Sequence, residues 1–200
     1  GTLRIEGTFT IDDANRGIYL TEEGGRITVV GTGVRTLTVN RPIAGAALGD
    51  LTIANDGDDT VRFNVANSYT GRTILTSGTL YITNENQLGS NPEVFVGDQL
   101  VMGAGTLRVT NQVVIDDSNR GITNTSGTAF FNIDPNSSLT ISNVMSGPGT
   151  VAKIGDGLLA LFATNTYTGN TEIRAGTLAL AFEEGLGDNP PTYNAARLSL

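Results

Sequence analysis

Carboxylates are the side chains of this sequence best suited to chemistry, because the chain contains no His and no Cys. Adjacent Asp residues occur at Asp12–Asp13 and again at Asp116–Asp117. A carboxylate pair can supply the acid and the base that cleave a glycosidic bond. Neighbouring residues of a strand point to opposite faces, so a pair converges only where the chain turns. The residues after each pair favour such a turn, with Asp capping backbone amides. A catalytic pair is needed only once, so its recurrence also favours the turn.

An arginine follows each carboxylate pair. Arg16 and Arg120 each lie four residues after the first Asp of their pair. Either guanidinium could bind an acidic sugar, but a local ion pair with the preceding carboxylates is the preferred interpretation. Such a pair contributes only about 0–1 kcal/mol when it is exposed.

A third acidic group surrounds Gly57. Asp56, Asp58 and Asp59 offer hard oxygen ligands and form a weak candidate site for Ca²⁺. With Arg62 nearby, the same residues are also the nearest approach to an unrepeated acidic cleft. The spacing does not match a full EF-hand loop, and a solvated acidic turn is the favoured interpretation. No catalytic residue and no other cofactor is predicted.

The composition excludes several classes of function. The formal net charge is −8, with 12 Lys and Arg against 20 Asp and Glu, so no basic groove for nucleic acid is expected. No run of 18 apolar residues occurs, and membrane insertion of this segment is not expected. Thr, Gly, Asn and Ser fill 82 of the 200 positions, which disfavours helix and predicts an all-β fold.

Two long blocks of sequence are repeated along the chain. Gly1–Ile18 returns as Gly105–Ile122 at an offset of 104 residues, and Asn67–Ile82 returns as Asn165–Leu180 at an offset of 98. We therefore divide the chain into unit 1 (residues 1–104) and unit 2 (residues 105–200), joined in one continuous structure.

Short alternating strands separated by Gly, Asn or Asp run through both units, which fits a sandwich, a barrel or a solenoid. The long-range repetition favours a parallel β-solenoid, because stacked coils form the same contact at every layer. About eight to ten coils are expected, at 20–25 residues each. Each strand should pair with its equivalent one coil away, so that like side chains stack.

The repeated Asn-x-Tyr-Thr-Gly tract, followed by Gly-Thr-Leu, resembles the autotransporter-associated β-strand repeat of bacterial passenger domains. The matching residues are Asn67, Tyr69, Thr70, Gly71 and Gly78 in unit 1, and Asn165, Tyr167, Thr168, Gly169 and Gly176 in unit 2. The resemblance covers about a third of the chain and implies a right-handed parallel β-helix from a secreted or surface-displayed bacterial protein.

The two tyrosines of this tract have two interpretations. An exposed ladder of aromatic rings could stack on sugars, whereas a structural Tyr would close a corner of the coil and donate its hydroxyl. The structural role is preferred for Tyr69 and Tyr167.

These observations favour a non-enzymatic, extracellular structural module such as a stalk, surface layer or filament. Both ends of the sequence have the character of strands, which predicts head-to-tail continuation, within a longer array or between copies of the chain. The first alternative is an adhesin or carbohydrate-binding module that uses the lateral face to bind surface glycans. The second is a polysaccharide-degrading enzyme on the same fold.

Overall fold

The computed structural model describes residues 1–46 and 48–200, which form an all-β fold of short strands. In chain order the strands are β1 (Thr2–Ile5), β2 (Phe9–Ile11), β3 (Ile18–Leu20), β4 (Gly25–Val29), β5 (Thr36–Val39), β6 (Ile43–Gly45), β7 (Leu51–Ala54), β8 (Thr60–Phe63), β9 (Thr73–Ser77), β10 (Thr79–Ile82) and β11 (Val96–Met102). They continue as β12 (Thr106–Val109), β13 (Gln112–Ile115), β14 (Arg120–Asn124), β15 (Thr128–Ile133), β16 (Ser138–Ile141), β17 (Met145–Ser146), β18 (Thr150–Ile154), β19 (Leu158–Leu161), β20 (Thr171–Ile173), β21 (Thr177–Leu180) and β22 (Leu198–Ser199). Two short 3-10 helices span Glu85–Leu88 and Glu183–Leu186.

The strands follow from the alternation of the sequence. Along β15, residues at alternate positions are buried and half-buried, as expected for a strand with one face towards the core. Turns then end the strands after a few residues. Gly78 and Gly176 have φ of +71° and +69°, a left-handed conformation that residues with a Cβ adopt at a cost.

The strands pair in parallel and stack into coils. One sheet has the order β1-β4-β7-β9-β11-β14-β17, and a second has the order β2-β5-β8-β10-β12-β15-β18-β20-β22. Paired residues are separated by between 19 positions (Thr60 and Thr79) and 28 positions (Phe9 and Leu37). The predicted parallel β-solenoid is confirmed, and the nine-stranded sheet agrees with the expected number of coils.

The third face of the coil is less regular. It contains the two-stranded sheet β3-β6 and the four-stranded sheet β13-β16-β19-β21. Between these sheets the segment around Asn67 and Ser68 stacks on β6, since the Ser68 amide donates to the Ile43 carbonyl. The helix Glu85–Leu88 then lies over this segment and under β13. Each coil therefore presents three faces.

Equivalent strands of the two units lie on neighbouring faces of the solenoid. Strand β1 belongs to the seven-stranded sheet, whereas β12, its counterpart 104 residues later, belongs to the nine-stranded sheet. Strand β9 and its counterpart β20, 98 residues later, differ in the same way. From β1 to β11 there are four steps along one sheet, and β12 follows on the next face. One unit therefore covers four coils and one additional face, so the expected direct stacking of equivalent strands does not occur.

The core is a set of apolar columns formed by non-equivalent strands. In one column Leu37, Val61, Leu80 and Leu107 are in register on successive strands of the nine-stranded sheet. All four side chains are fully buried. Burial of such columns from water is the main source of stability in a stack of coils.

Candidate functional site

The tyrosines of the repeated tract lie inside the solenoid. Tyr69 is fully buried, and its hydroxyl is 2.6 Å from Oγ1 of Thr73, which in turn donates to the carbonyl of Leu88. Tyr167 is also fully buried, with its hydroxyl 2.6 Å from Oγ1 of Thr171. Burial raises the pKa of both phenols, so both stay protonated and can donate. These rings belong to the core and form no exposed ladder.

The asparagine at the start of the tract joins neighbouring coils. Oδ1 of Asn67 accepts from the amide of Ile43 at 2.8 Å, and its Nδ2 donates to the carbonyl of Gln87 at 2.6 Å. Asn165 accepts from the amide of Met145 in the same way, also at 2.8 Å. Both amide side chains are buried and hydrogen-bonded, so each replaces ladder bonds where the chain is not a regular strand.

Thr70 and Thr168 point into solvent, and their backbone carbonyls are the groups that make contacts. The carbonyl of Thr70 accepts from Nε2 of Gln99 at 3.3 Å. Arg197 lies 98 residues after Gln99 and donates to the carbonyl of Thr168. A long side chain from the following coil therefore holds the tract in both units.

The glycine that ends the tract allows two coils to approach closely. A Cβ placed on Gly71 would overlap the carbonyl of Gly49, and one placed on Gly169 would overlap the carbonyl of Gly149. In both units the obstacle is backbone of the preceding coil, which cannot move aside as a flexible side chain would.

We expect Gly169→Ala to lower the free energy of unfolding by about 1–3 kcal/mol, because the added methyl separates two packed coils. Urea unfolding followed by circular dichroism measures the change. Gly7→Ala is the matched control, since no atom lies within 4 Å of a Cβ at that position. Equal effects of the two substitutions would contradict the packing role of Gly169.

A buried polar side chain serves the left-handed corner in each unit. Lys153 is buried, and its Nζ donates to three carbonyls, including that of Ala175 next to Gly176. Asn55 lies 98 residues before Lys153, at the corresponding corner near Gly78, and its Nδ2 donates to two carbonyls. Burial lowers the pKa of Lys153. Unit 1 has no lysine at this corner, and Asn55 is the buried donor there instead.

The acidic group around Gly57 is divided between solvent and core. Asp56 and Asp58 are exposed, whereas Asp59 is buried and its Oδ1 accepts from the amide of Arg35 at 2.7 Å. Within the described residues, no three His, Cys, Asp or Glu side chains come together as a metal-binding group. Asp59 acts as a cap on the neighbouring coil.

The arginine assigned to the acidic cleft points elsewhere. Nε of Arg62 donates to Oδ1 of Asn64 at 2.8 Å, and its guanidinium lies 4.5 Å from the ring centre of Tyr81. The structure therefore does not bring Arg62 into contact with the carboxylates at positions 56–59.

A buried group of charged side chains surrounds Arg120. This side chain is fully buried, and its Nε donates to Oε1 of Glu85 at 3.1 Å. The guanidinium also donates to the carbonyls of Leu88 and Gly89, both at 3.1 Å, and to Oδ2 of Asp117 at 2.9 Å. The local ion pair with the second Asp forms as the sequence predicted. Because Arg120 is buried, the small contribution expected of an exposed pair does not apply to it.

Glu85 completes this cluster from the coil below. Its carboxylate accepts from the backbone amides of Asp116 and Asp117, at 3.1 Å and 3.2 Å. Desolvation by burial raises the pKa of Glu85 in spite of these bonds and of Arg120. Sequence reasoning did not identify Glu85. Its counterpart Glu183, 98 residues later, was the available signal.

The copy of this turn in unit 1 has the same backbone and a different environment. The amide of Asn15 donates to Oδ1 of Asp13, and the amide of Arg16 donates to the Asp13 carbonyl, so the predicted turn forms. Arg41 of the next coil donates to the carbonyl of Asp12 at 2.7 Å. Arg16 is exposed, and among the described residues it takes part in no ion pair.

A cleft of about 710 Å³ lies on the lateral surface between the 48–50 and 91–99 segments. Arg72 lies on its floor and bridges Asp50 at 2.7 Å and Asp98 at 2.8 Å. Hydrogen bonds to Asp50 and then Asp98 raise the pKa of this guanidinium. Val94 and Phe95, on the loop beside the cleft, are 71% and 59% exposed. This is a mixed apolar and charged surface.

Comparison with known proteins matches the same tracts. The family model described as "Passenger-associated-transport-repeat" matches residues 56–82 and 151–180. The chain is 32% identical over 199 residues to a protein of Brucella suis biovar 1 (strain 1330) named "Adhesin BmaC autotransporter". The match covers 88% of this chain and 6% of that relative. No solved structure matches the chain. Neither short helix in the described part of the chain has the length and apolar character of a membrane span.

Proposed function

We propose, on the premise that the chain belongs to the passenger-associated-transport-repeat family, that it is a non-enzymatic structural segment of a secreted or surface-displayed bacterial protein. Its task is mechanical: the stacked coils form a rigid rod that extends by the addition of further coils at its ends. A single observation carries this proposal, namely the uninterrupted stacking of parallel strands, seven along one face and nine along another.

At the N-terminal end the first coil exposes side chains that its repeat buries. Leu3 is 39% exposed, whereas Leu107, its counterpart in unit 2, is completely buried. Phe9 and its counterpart Val113 differ in the same way, at 47% and 2%. A preceding coil of the same kind would cover both side chains.

The C-terminal end shows the converse. Leu198 is 41% exposed and Leu180 is 38% exposed, whereas their unit 1 counterparts Leu100 and Ile82 are completely buried. A following coil of the same kind would cover both side chains.

Electron microscopy of the full-length secreted protein tests this role. With coils about 4.8 Å apart, removing residues 67–164, so that Asn165 takes the place of Asn67, should shorten its rod by about 20 Å. Replacing a solvent-exposed loop residue, as in Asn189→Ser, should leave the length unchanged. A rod of unchanged length after the deletion would exclude the mechanical role.

An adhesin is the second candidate function, favoured by the name of the Brucella relative and by the lateral cleft beside Phe95. In this case the rod would display a binding surface for glycans. Retention on a glycan array that is lost in Phe95→Ala would support this function. Signal at the level of the uncoated surface would argue against it.

A further inference from the structure

The cluster around Arg120 is a joint between the two units, and both halves of a second such joint are present at opposite ends of the chain. The donor half is the Asp-Asp-x-Asn-Arg-Gly turn, which starts at Asp12 in unit 1 and at Asp116 in unit 2. The acceptor half is the short helix with the glycine after it, Glu85–Gly89 in unit 1 and Glu183–Gly187 in unit 2. Within the chain the acceptor of unit 1 holds the donor of unit 2.

We propose that the acceptor at Glu183–Gly187, in which Glu183 is exposed, binds the exposed donor turn of another copy of this repeat, with Arg16 of that copy taking the role of Arg120. Arg16 would donate to Glu183 and to the carbonyls of Leu186 and Gly187. The partner is therefore a second copy of this chain. This inference rests on the proposed end-to-end stacking and adds the residues that select the partner and its register.

The acceptor has the required groups in the required places. Glu183, Leu186 and Gly187 each lie 98 residues after Glu85, Leu88 and Gly89, the three residues that Arg120 contacts across the coils. Both helices end in a glycine with positive φ, +90° at Gly89 and +83° at Gly187. The carbonyls of Leu186 and Gly187 therefore have an orientation similar to those of Leu88 and Gly89.

The exposure of the acceptor agrees with its missing half. Leu88 is completely buried and Glu85 is 8% exposed, whereas Leu186 is only half-buried and Glu183 is exposed. The donor shows the same contrast, since Arg120 is completely buried and Arg16 is exposed. Each end thus lacks the cover that its counterpart has inside the chain.

Charge and length also fit this partner. A cationic Arg16 meets an anionic Glu183, so the joint has complementary charges and the donor turn does not pair favourably with a copy of itself.

Leu200 corresponds to Met102, and two residues, Gly103 and Ala104, link Met102 to the start of unit 2. The same two-residue connection after Leu200 would place a second Gly1 at the position of Gly105.

The joint would also fix the orientation of the partner. Because each unit advances by four coils and one face, and one copy contains two units, the second copy would be rotated by two faces about the solenoid axis relative to the first. A feature such as the lateral cleft would then appear on a different face in each successive unit.

A tandem chain tests the inference: one copy of residues 1–200, a Gly-Ala link, and a second copy. We expect a single unfolding transition with a higher midpoint temperature than that of one copy. Arg16→Glu in the second copy, at the joint, should lower that midpoint by about 5 °C. Arg16→Glu in the first copy is the matched control, because that residue stays exposed, and it should leave the midpoint unchanged.

Charge reversal supplies the second measurement. Glu183→Arg in the first copy should have the same effect as Arg16→Glu in the second, and the two reversals together should recover part of the loss. If the tandem chain melts as two independent copies at the midpoint of one, end-to-end stacking itself fails. If the tandem chain is more stable than one copy, but the charge reversals at the joint change the midpoint temperature no more than the control does, the copies stack without the Arg16–Glu183 contact. That result would contradict the proposed joint.

Discussion

Arg120→Ala is expected to lower the free energy of unfolding by about 3–5 kcal/mol, because it leaves buried groups without partners. The guanidinium is completely buried and donates to Glu85, to Asp117 and to two backbone carbonyls. Alanine removes all of these donors at once and leaves a carboxylate uncompensated between two coils. Urea unfolding followed by circular dichroism measures the loss.

Arg16→Ala is the control that the chain itself provides, because Arg16 occupies the same motif and is exposed. We expect a change within about 0.5 kcal/mol there. Equal losses at Arg16 and Arg120 would show that the turn needs its arginine for local reasons and that the contact between coils contributes nothing.

Glu85→Gln separates the charge of the cluster from its hydrogen bonds. The amide keeps one oxygen acceptor, so we expect a smaller loss than for Arg120→Ala, about 1–2 kcal/mol at pH 7. Burial raises the folded-state pKa of Glu85, so this carboxyl contributes most below its unfolded pKa, and its contribution falls as the pH rises. The free energy of unfolding of the wild type should therefore rise relative to that of Glu85→Gln as the pH is lowered from 7 towards 4. If the difference in unfolding free energy between the two proteins does not change with pH, the Glu85 carboxyl has the same pKa in the folded and unfolded states.

The overall architecture could be predicted from the sequence, whereas the register of the repeats could not. Alternating short strands, many turn residues and two long repeats together identify a stack of parallel coils. The offset of 98 or 104 residues does not state how many coils it contains, because coil length varies between 19 and 28 residues. The number of coils in a unit is not whole, and only the strand pairing reveals the shift by one face.

The repeated tract could be assigned its structural role because both copies lie within the stack. Asn67 and Asn165 have coils on both sides, so identical residues have similar contacts. The arginines could not be assigned in this way, since Arg16 and Arg120 share a motif and differ in burial. Burial at this position depends on the coil below, which is remote in sequence, and local spacing carries no information about it.

The exchange of Asn55 for Lys153 shows why sequence comparison of the two units underestimates their similarity. The side chains differ in length and charge, yet both donate to backbone carbonyls at a corner that contains a left-handed glycine. What the corner requires is a buried donor, and either residue type supplies it. A physical requirement of this kind is preserved while the residue identity changes.

Tyr69→Ala is expected to lower the free energy of unfolding by about 3–5 kcal/mol, the usual cost of removing a large aromatic side chain from a core. The ring fills the interior where three coils meet at an irregular face, so neighbouring side chains have little freedom to close the cavity. Thermal and urea unfolding of the two proteins measure the loss.

Tyr69→Phe isolates the hydroxyl from the ring. It removes only the bond to Thr73 at 2.6 Å, and we expect a loss of about 1 kcal/mol. Tyr193→Ala is the control for removal of a tyrosine as such, because Tyr193 is 94% exposed, and its expected change is within about 0.5 kcal/mol. Because Tyr69 has no exposed surface, both folded Tyr69 variants should give the same glycan-array signal as the wild type. Loss of glycan binding in a folded Tyr69→Phe protein would restore the exposed aromatic ladder as the explanation of this tract.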